Sequence, residues 1–223
     1  MPLDPGRHSP VMCLTQDGIG IPHAEQAARL CAAGALWIQL RMKGASRREW
    51  LAQSRAAADT CRLHGAVLIV NDSVEIALES GADGAHLGSL DTGWPKARRL
   101  LGPDRILGGT VGSRDEARRA AASGCLDYAG LGPLRFTPTK RNLAPVLGLA
   151  GVRALIGELG AIPAWVIGGV VPGDLPGLRR AGAAGAAVSS SLYAGGRIEE
   201  NLREFLEAWS RAAGALRESA SRP

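Results

Sequence analysis

The segment Gly132-Pro133-Leu134-Arg135-Phe136-Thr137-Pro138-Thr139-Lys140 follows a short apolar run, Asp127 to Leu131, and places two hydroxyls and an ammonium beside glycines at 130 and 132. Glycine lets backbone N–H groups approach an anion closely, hydroxyls donate hydrogen bonds, and lysine brings a compact positive charge. Thr137, Thr139 and Lys140 therefore suit a phosphate or a diphosphate. The same composition also describes a plain polar turn, so the rest of the chain must decide between the two. A second group is Gln39-x-Arg41-x-Lys43. Alternation along an extended chain sets these three side chains on one face, where an amide and two cations suit an anion. Asn71-Asp72 and His86-Leu87-Gly88-Ser89-Leu90-Asp91 supply two carboxylates. Asp72 and Asp91 suit a shared magnesium ion, which takes one or two carboxylates and completes its shell with water and phosphate oxygens. Asp72 is also placed to cap the helix that follows it. His86 fits a neutral core position as well as a catalytic one. Thr110 ends the run Gly108-Gly109-Thr110, and two further runs are Ile167-Gly168-Gly169-Val170 and Val188-Ser189-Ser190-Ser191.

Each of these groups stands at the end of a short apolar run. The runs are Val11–Thr15, Leu36–Leu40, Ala66–Val70, Gly84–His86, Ile106–Gly109, Tyr128–Leu131, Ala164–Ile167 and Ala186–Ser189. Between them lie stretches with apolar residues at three- and four-residue spacing: His23–Ala33, Ser46–His64, Ser73–Ser80, Trp94–Leu101, Ser113–Ser123, Leu149–Leu159, Leu175–Ala181 and Glu199–Arg217. Strict strand–helix alternation with strands apolar on both faces implies a parallel sheet. Eight such units in 223 residues predict an α/β fold, a single (β/α)8 TIM barrel over residues 1–223 with its core at about 11–213. An open doubly wound sheet is the competing architecture, but no G-x-G-x-x-G follows the first strand. A parallel barrel gathers its chemistry at the C-terminal ends of the strands. There the last seven strands all end in polar or glycine residues, which predicts two anion sites. Gly168, Gly169, Ser189 and Ser190 form one. Gln39, Arg41, Lys43, Asn71, Thr110, Thr137, Thr139, Lys140 and the two aspartates form the other.

Composition narrows the classes. Apolar residues make up 46% of the chain, enough for a sizeable core, and no run reaches the ~20 needed to cross a bilayer. The start, Met1 to Pro10, lacks a signal-peptide core, and a cytoplasmic location with no membrane partner is expected. Cys13, Cys31, Cys61 and Cys125 are widely spaced in apolar contexts, which predicts buried reduced thiols. The net charge of +5 comes largely from arginine pairs on the expected outer helices, without basic runs interleaved with aromatics, so no nucleic-acid partner is expected. Outer helices of a barrel also leave room for a homo-oligomer.

Taken in order, Gln39-Leu40-Arg41-Met42-Lys43, Asn71-Asp72, Ala82 to Gly88 with Asp91, Gly132-Pro133 to Lys140, Ile167-Gly168-Gly169 and Gly182 to Ser190 resemble the thiamine-phosphate synthase family over roughly residues 11 to 205. The resemblance implies a (β/α)8 barrel. It implies a transferase that joins a pyrimidine methyl diphosphate to a thiazole phosphate and releases pyrophosphate with magnesium. On that footing Arg41, Lys43 and Lys140 are the expected catalytic cations and Asp72 and Asp91 the metal ligands. Gln39 and Asn71 would orient the diphosphate substrate, Thr110, Thr137 and Thr139 would donate hydrogen bonds, and the amides near Gly168, Gly169 and Ser190 would hold the thiazole phosphate. The chain departs from the family's habit at Ser73, where arginine is frequent, at Ser89, where glutamine is frequent, and at Thr110 and Gly112, where serine and histidine are common. Two other readings are a thiazole phosphate tautomerase or related phosphate-binding isomerase on the same barrel, and a non-catalytic binder of thiamine precursors.

Overall fold

A computed structural model describes residues 9–88, 90–136 and 145–220, with 213–220 as backbone only. Its elements run β1 (Val11–Leu14), α1 (His23–Ala32), β2 (Trp37–Leu40), α2 (Arg47–Leu63), β3 (Val67–Asn71), α3 (Val74–Ser80), β4 (Gly84–Leu87) and α4 (Trp94–Leu101). They continue β5 (Ile106–Val111), α5 (Arg114–Ser123), β6 (Tyr128–Leu131), α6 (Gly148–Leu159), β7 (Ala164–Val166), α7 (Leu175–Arg180), β8 (Gly185–Val188) and α8 (Ile198–Ala220). All neighbouring strands are parallel, and β1 pairs with both β2 and β8, so the sheet closes into a barrel. The open-sheet alternative is thereby excluded.

Strand alternation sorts the side chains into two cores. Val11, Cys13, Ile38, Leu40, Leu68, Val70, Ala85, Leu87 and Leu107 belong to the large apolar layer shared with the helices. Met12, Leu14, Trp37, Ile69, Ile106, Tyr128, Trp165 and Ala187 form a second cluster inside the barrel. Three rings dominate that interior. Trp37 lies 5.2 Å from Tyr128 at 75° and 4.7 Å from Trp165, while Tyr128 and Trp165 meet edge to face at 5.8 Å. Each ring removes on the order of 150–250 Å² from water. Gly108 makes room for them, since a Cβ there would sit 2.1 Å from Cζ of Tyr128.

Local sequence explains where the helices begin. Ser46, Ser73 and Ser113 accept from the amides of Glu49, Ile76 and Glu116, which satisfies exposed N–H groups at three helix starts. Gly81 and Gly124 end α3 and α5 in the left-handed conformation. Six strands end one or two residues away from expectation, and two of these ends bear on the site. β5 continues through Thr110 and Val111, which pair with Gly130 and Leu131. β7 stops at Val166, just before a turn in which Gly168 and Gly169 take φ 102° and 70°. Cys13, Cys31 and Cys61 are buried thiols as expected, but Cys125 is only half-buried. Arg29 joins α1 to α8 through Glu199, at 2.8 and 3.0 Å. Among the described residues no helix is long and apolar enough to cross a membrane.

Candidate active site

The parity that puts Trp37 inside the barrel puts Gln39 there two residues on and aims Arg41 at the rim beyond it. The same rule carries Ile69 to Asn71, Gly84 to His86, Gly108 to Thr110, and Trp165 to Ile167. The first residue of each pair lies deeper in the barrel and its successor nearer the C-terminal end, where all the successors but Ile167 are polar. The successors line a cavity of about 340 Å³ whose walls draw on all eight strands. Met12, Leu14, Tyr128, Trp165 and Ala187 line it from below, and Lys43, Asp72, Gly168, Gly169, Ser189 and Ser190 come from the loops.

On the floor, His86 Nδ1 lies 3.0 Å from the Tyr128 hydroxyl and His86 Nε2 lies 3.0 Å from Thr110 Oγ1. His86 is therefore buried and at the cavity at once, the two positions its sequence context left open. Burial pushes the Tyr128 phenol well above its ordinary range, with a hydrogen bond to Gln39 acting the other way. Tyr128 is thus a neutral donor at any physiological pH.

The cationic wall follows β2. The Arg41 amide donates to Thr15 Oγ1 at 3.0 Å, and the Lys43 amide lies 3.2 and 3.3 Å from the two carboxylate oxygens of Asp17. His23, the first residue of α1, contacts both acceptors, at 2.7 Å to Thr15 and 3.1 Å to Asp17. The loop carrying the two cations is thereby fixed by its backbone, and their side chains are left to the cavity. The Lys43 ammonium pairs with Asp72.

Asp72 does not cap α3; Ser73 does, with its hydroxyl accepting from Ile76 at 3.1 Å. The reason is backbone conformation. Asp72 has φ 68°, alone among the described non-glycine residues in taking a positive φ, and its amide is held by the His86 carbonyl at 2.8 Å. A left-handed aspartate is strained, and such strain collects at functional sites. Asp91 lies one loop away, accepting from the Gly88 amide at 2.7 Å. Burial is the main cause that holds its carboxyl above the usual range; the Gly88 hydrogen bond opposes this, and the neighbouring Asp72 carboxylate adds to it. Two carboxylates crowded together at the rim of the cavity fit a hard divalent cation. No cluster of three or more metal-ligating side chains occurs among the described residues, so the remaining ligands would come from water and substrate.

The opposite wall is backbone. Gly168 and Gly169 turn the chain directly beneath the loop after β6, and a Cβ on Gly168 would lie 2.6 Å from that of Pro133. Ser189 and Ser190 border the cavity, and the Ser191 hydroxyl donates to the Val170 carbonyl at 2.8 Å. The two expected anion sites are thus two walls of one continuous cavity. Of the residues singled out from sequence, Gln39, Arg41, Lys43, Asn71, Asp72, Thr110, Gly168, Gly169, Ser189 and Ser190 line it, and Asp91 adjoins it through Gly88. Thr137, Thr139 and Lys140 lie outside the described residues, as does Ser89.

Some lining residues escaped the sequence reading. Tyr128 and Trp165 were legible only as strand residues, although counting two positions back from Gly130 and Ile167 points to them. Glu116 also borders the cavity, its carboxylate accepting from the Gly112 amide at 2.7 Å. The spacing Ser113-x-x-Glu116 is the sequence mark of that helix start.

Comparison with known proteins gives a consistent result. The family described as thiamine monophosphate synthase matches residues 11–192. A thiamine-phosphate synthase of Bacteroides fragilis is 39% identical over 186 residues, 81% of this chain and 91% of that protein. One from Moorella thermoacetica is 39% identical over 204 residues, 92% of this chain and 96% of the other. The structure of a thiamine phosphate pyrophosphorylase from Pyrococcus furiosus superposes with a TM-score of 0.82 at 29% identity, covering 91% of this chain and 96% of that one.

Proposed function

The chain belongs to the thiamine monophosphate synthase family, and from that membership we propose that its barrel couples 4-amino-2-methyl-5-(diphosphooxymethyl)pyrimidine to 4-methyl-5-(2-phosphooxyethyl)thiazole with release of pyrophosphate. The observation that carries the reading is the pairing of two unlike anion-binding walls in one cavity. Side-chain cations and carboxylates follow β2, β3 and β4, while glycine and serine backbone follows β7 and β8.

In this reading the diphosphate lies against Arg41, Lys43 and Lys140, with Gln39 and Asn71 orienting the pyrimidine end. The bond between the methylene carbon and the diphosphate oxygen breaks, and its electron pair leaves with the oxygen. The cations stabilise that departing charge electrostatically, held in place before it develops. The electron-rich aminopyrimidine supports the carbocation-like methylene. The thiazole nitrogen then donates its lone pair to form the new C–N bond. That nitrogen carries no proton, so no general base is required. Thr110, Thr137 and Thr139 donate hydrogen bonds, and the thiazole phosphate rests on the backbone at Gly168, Gly169, Ser189 and Ser190.

Asp72 and Asp91 would hold magnesium beside the diphosphate. When bound, the ion neutralises charge on the leaving group. The net charge of the chain and its lack of an apolar spanning helix among the described residues fit a cytoplasmic enzyme of small anionic substrates.

The test is pyrophosphate release from the purified chain given both substrates and magnesium. Release that requires all three supports the synthase. Conversion of the thiazole phosphate alone would instead mark a tautomerase, and heat of binding without product would mark a carrier.

A further inference from the structure

We infer that Arg135, clamped by Asp174, is a positioning residue that presets the turn after β7 as a cradle for a phosphate monoester; the inference rests on the assignment of that wall to the thiazole phosphate. Arg135 does not border the cavity, and its side chain is 46% exposed. Its bonds run to the back of the turn. The Arg135 amide donates to the Gly168 carbonyl at 3.1 Å, and its guanidinium donates to the Gly169 carbonyl at 2.5 Å. The same guanidinium grips both carboxylate oxygens of Asp174, at 2.9 and 2.5 Å. Asp174 in turn accepts from the Val171 amide at 2.8 Å.

Peptide geometry turns these contacts into a statement about the cavity. In a trans peptide the carbonyl of one residue and the N–H of the next point in opposite directions. Holding the carbonyls of Gly168 and Gly169 on the Arg135 side therefore directs the N–H groups of Gly169 and Val170 the other way, toward the cavity both residues line. Left-handed glycines are otherwise free to rotate these planes, so a free turn would lose orientation on binding. The guanidinium fork suits this task because it is planar and reaches a carbonyl and a carboxylate together. The stem also fills the space above Gly169, whose Cβ would meet Cγ of Arg135 at 2.6 Å.

Arg135→Met keeps the stem and removes the fork, and Asp174→Asn weakens the clamp from the other side. Both are compared with the wild-type chain by calorimetric titration with inorganic phosphate and with the thiazole phosphate, and by kinetics in each substrate. The expected result is about tenfold weaker binding of both phosphates and about a tenfold higher KM for the thiazole phosphate. KM for the pyrimidine diphosphate and kcat should stay within about twofold. Because the two residues act as one unit, the double variant should be no worse than the poorer single one. Unchanged phosphate binding in folded Arg135→Met or Asp174→Asn protein overturns the inference. So does an equal loss toward both substrates, which marks a merely structural role, and so does a wild-type chain that binds neither phosphate. If the wild type releases no pyrophosphate yet the variants still lose phosphate binding, the synthase reading falls and the cradle stands.

Discussion

Asp72 shows how a single residue can be chosen against its own backbone. Its left-handed φ of 68° suits glycine, yet a carboxylate stands there, between the Lys43 ammonium and the Asp91 carboxyl. Asp72→Gly should therefore hold or raise stability, by up to about 1 kcal/mol, because the strain is relieved and an ion pair near the surface contributes little. The same change should lower pyrophosphate release at least ~100-fold. Denaturant midpoints and a release assay on the same protein measure both arms. Gly168→Ala should behave in the opposite way. The added methyl meets Pro133 in a backbone region that disfavours it, so a loss of about 2 kcal/mol or more is expected in urea titrations. Most of these residues were legible from spacing. The strain at Asp72 was not, because a positive φ at aspartate leaves no trace in composition. The choice of cap between Asp72 and Ser73 was not legible either: both are good caps, and the backbone gives the role to Ser73.

At the level of elements, the helix starts were the most readable feature. Ser46, Ser73 and Ser113 open helices whose apolar spacing begins at once, and the structure finds each serine capping its helix. Strand ends were less readable. β5 runs on through Thr110 and Val111 because β6 offers Gly130 and Leu131 to pair with, a partnership that no local pattern announces. Loop anchoring was not readable at all. His23, Thr15 and Asp17 hold the loop that presents Arg41 and Lys43, yet they lie well over ten residues before it in sequence. One contact between elements has a consequence in acid. Arg29 draws the Glu199 carboxyl below its ordinary value of 4.5. A carboxyl lowered in the folded state stabilises it above the unfolded value, and that support is lost as pH falls through the folded one. Thermal midpoints of wild type and Glu199→Gln should therefore differ at neutral pH and converge below about pH 4.5. The gap will be small, because the two side chains are 34% and 39% exposed.

For the molecule as a whole, the alternation of eight strands with eight helices announced a barrel, and closure of β8 onto β1 realises it. The barrel in turn made the site legible, since it requires distant residues of the right parity to meet at one rim. What the sequence lacked was the shape of the space between them, which depends on how Trp37, Tyr128 and Trp165 fill the interior. A ligand spanning that space stabilises the fold by mass action. Magnesium with pyrophosphate should raise the thermal midpoint by several degrees at saturating ligand, and Asp91→Asn should lose most of the part that depends on magnesium. Scanning fluorimetry with each component alone and together separates the two contributions. The three packed rings have one more implication. They are almost wholly inaccessible, so the chamber above them is a blind alley with its door at the loops. A reactant seated against the rings would then have to enter before any partner that sits nearer the loops. The order of traffic would then be imprinted on the enzyme by Tyr128 and Trp165, with Trp37 behind them.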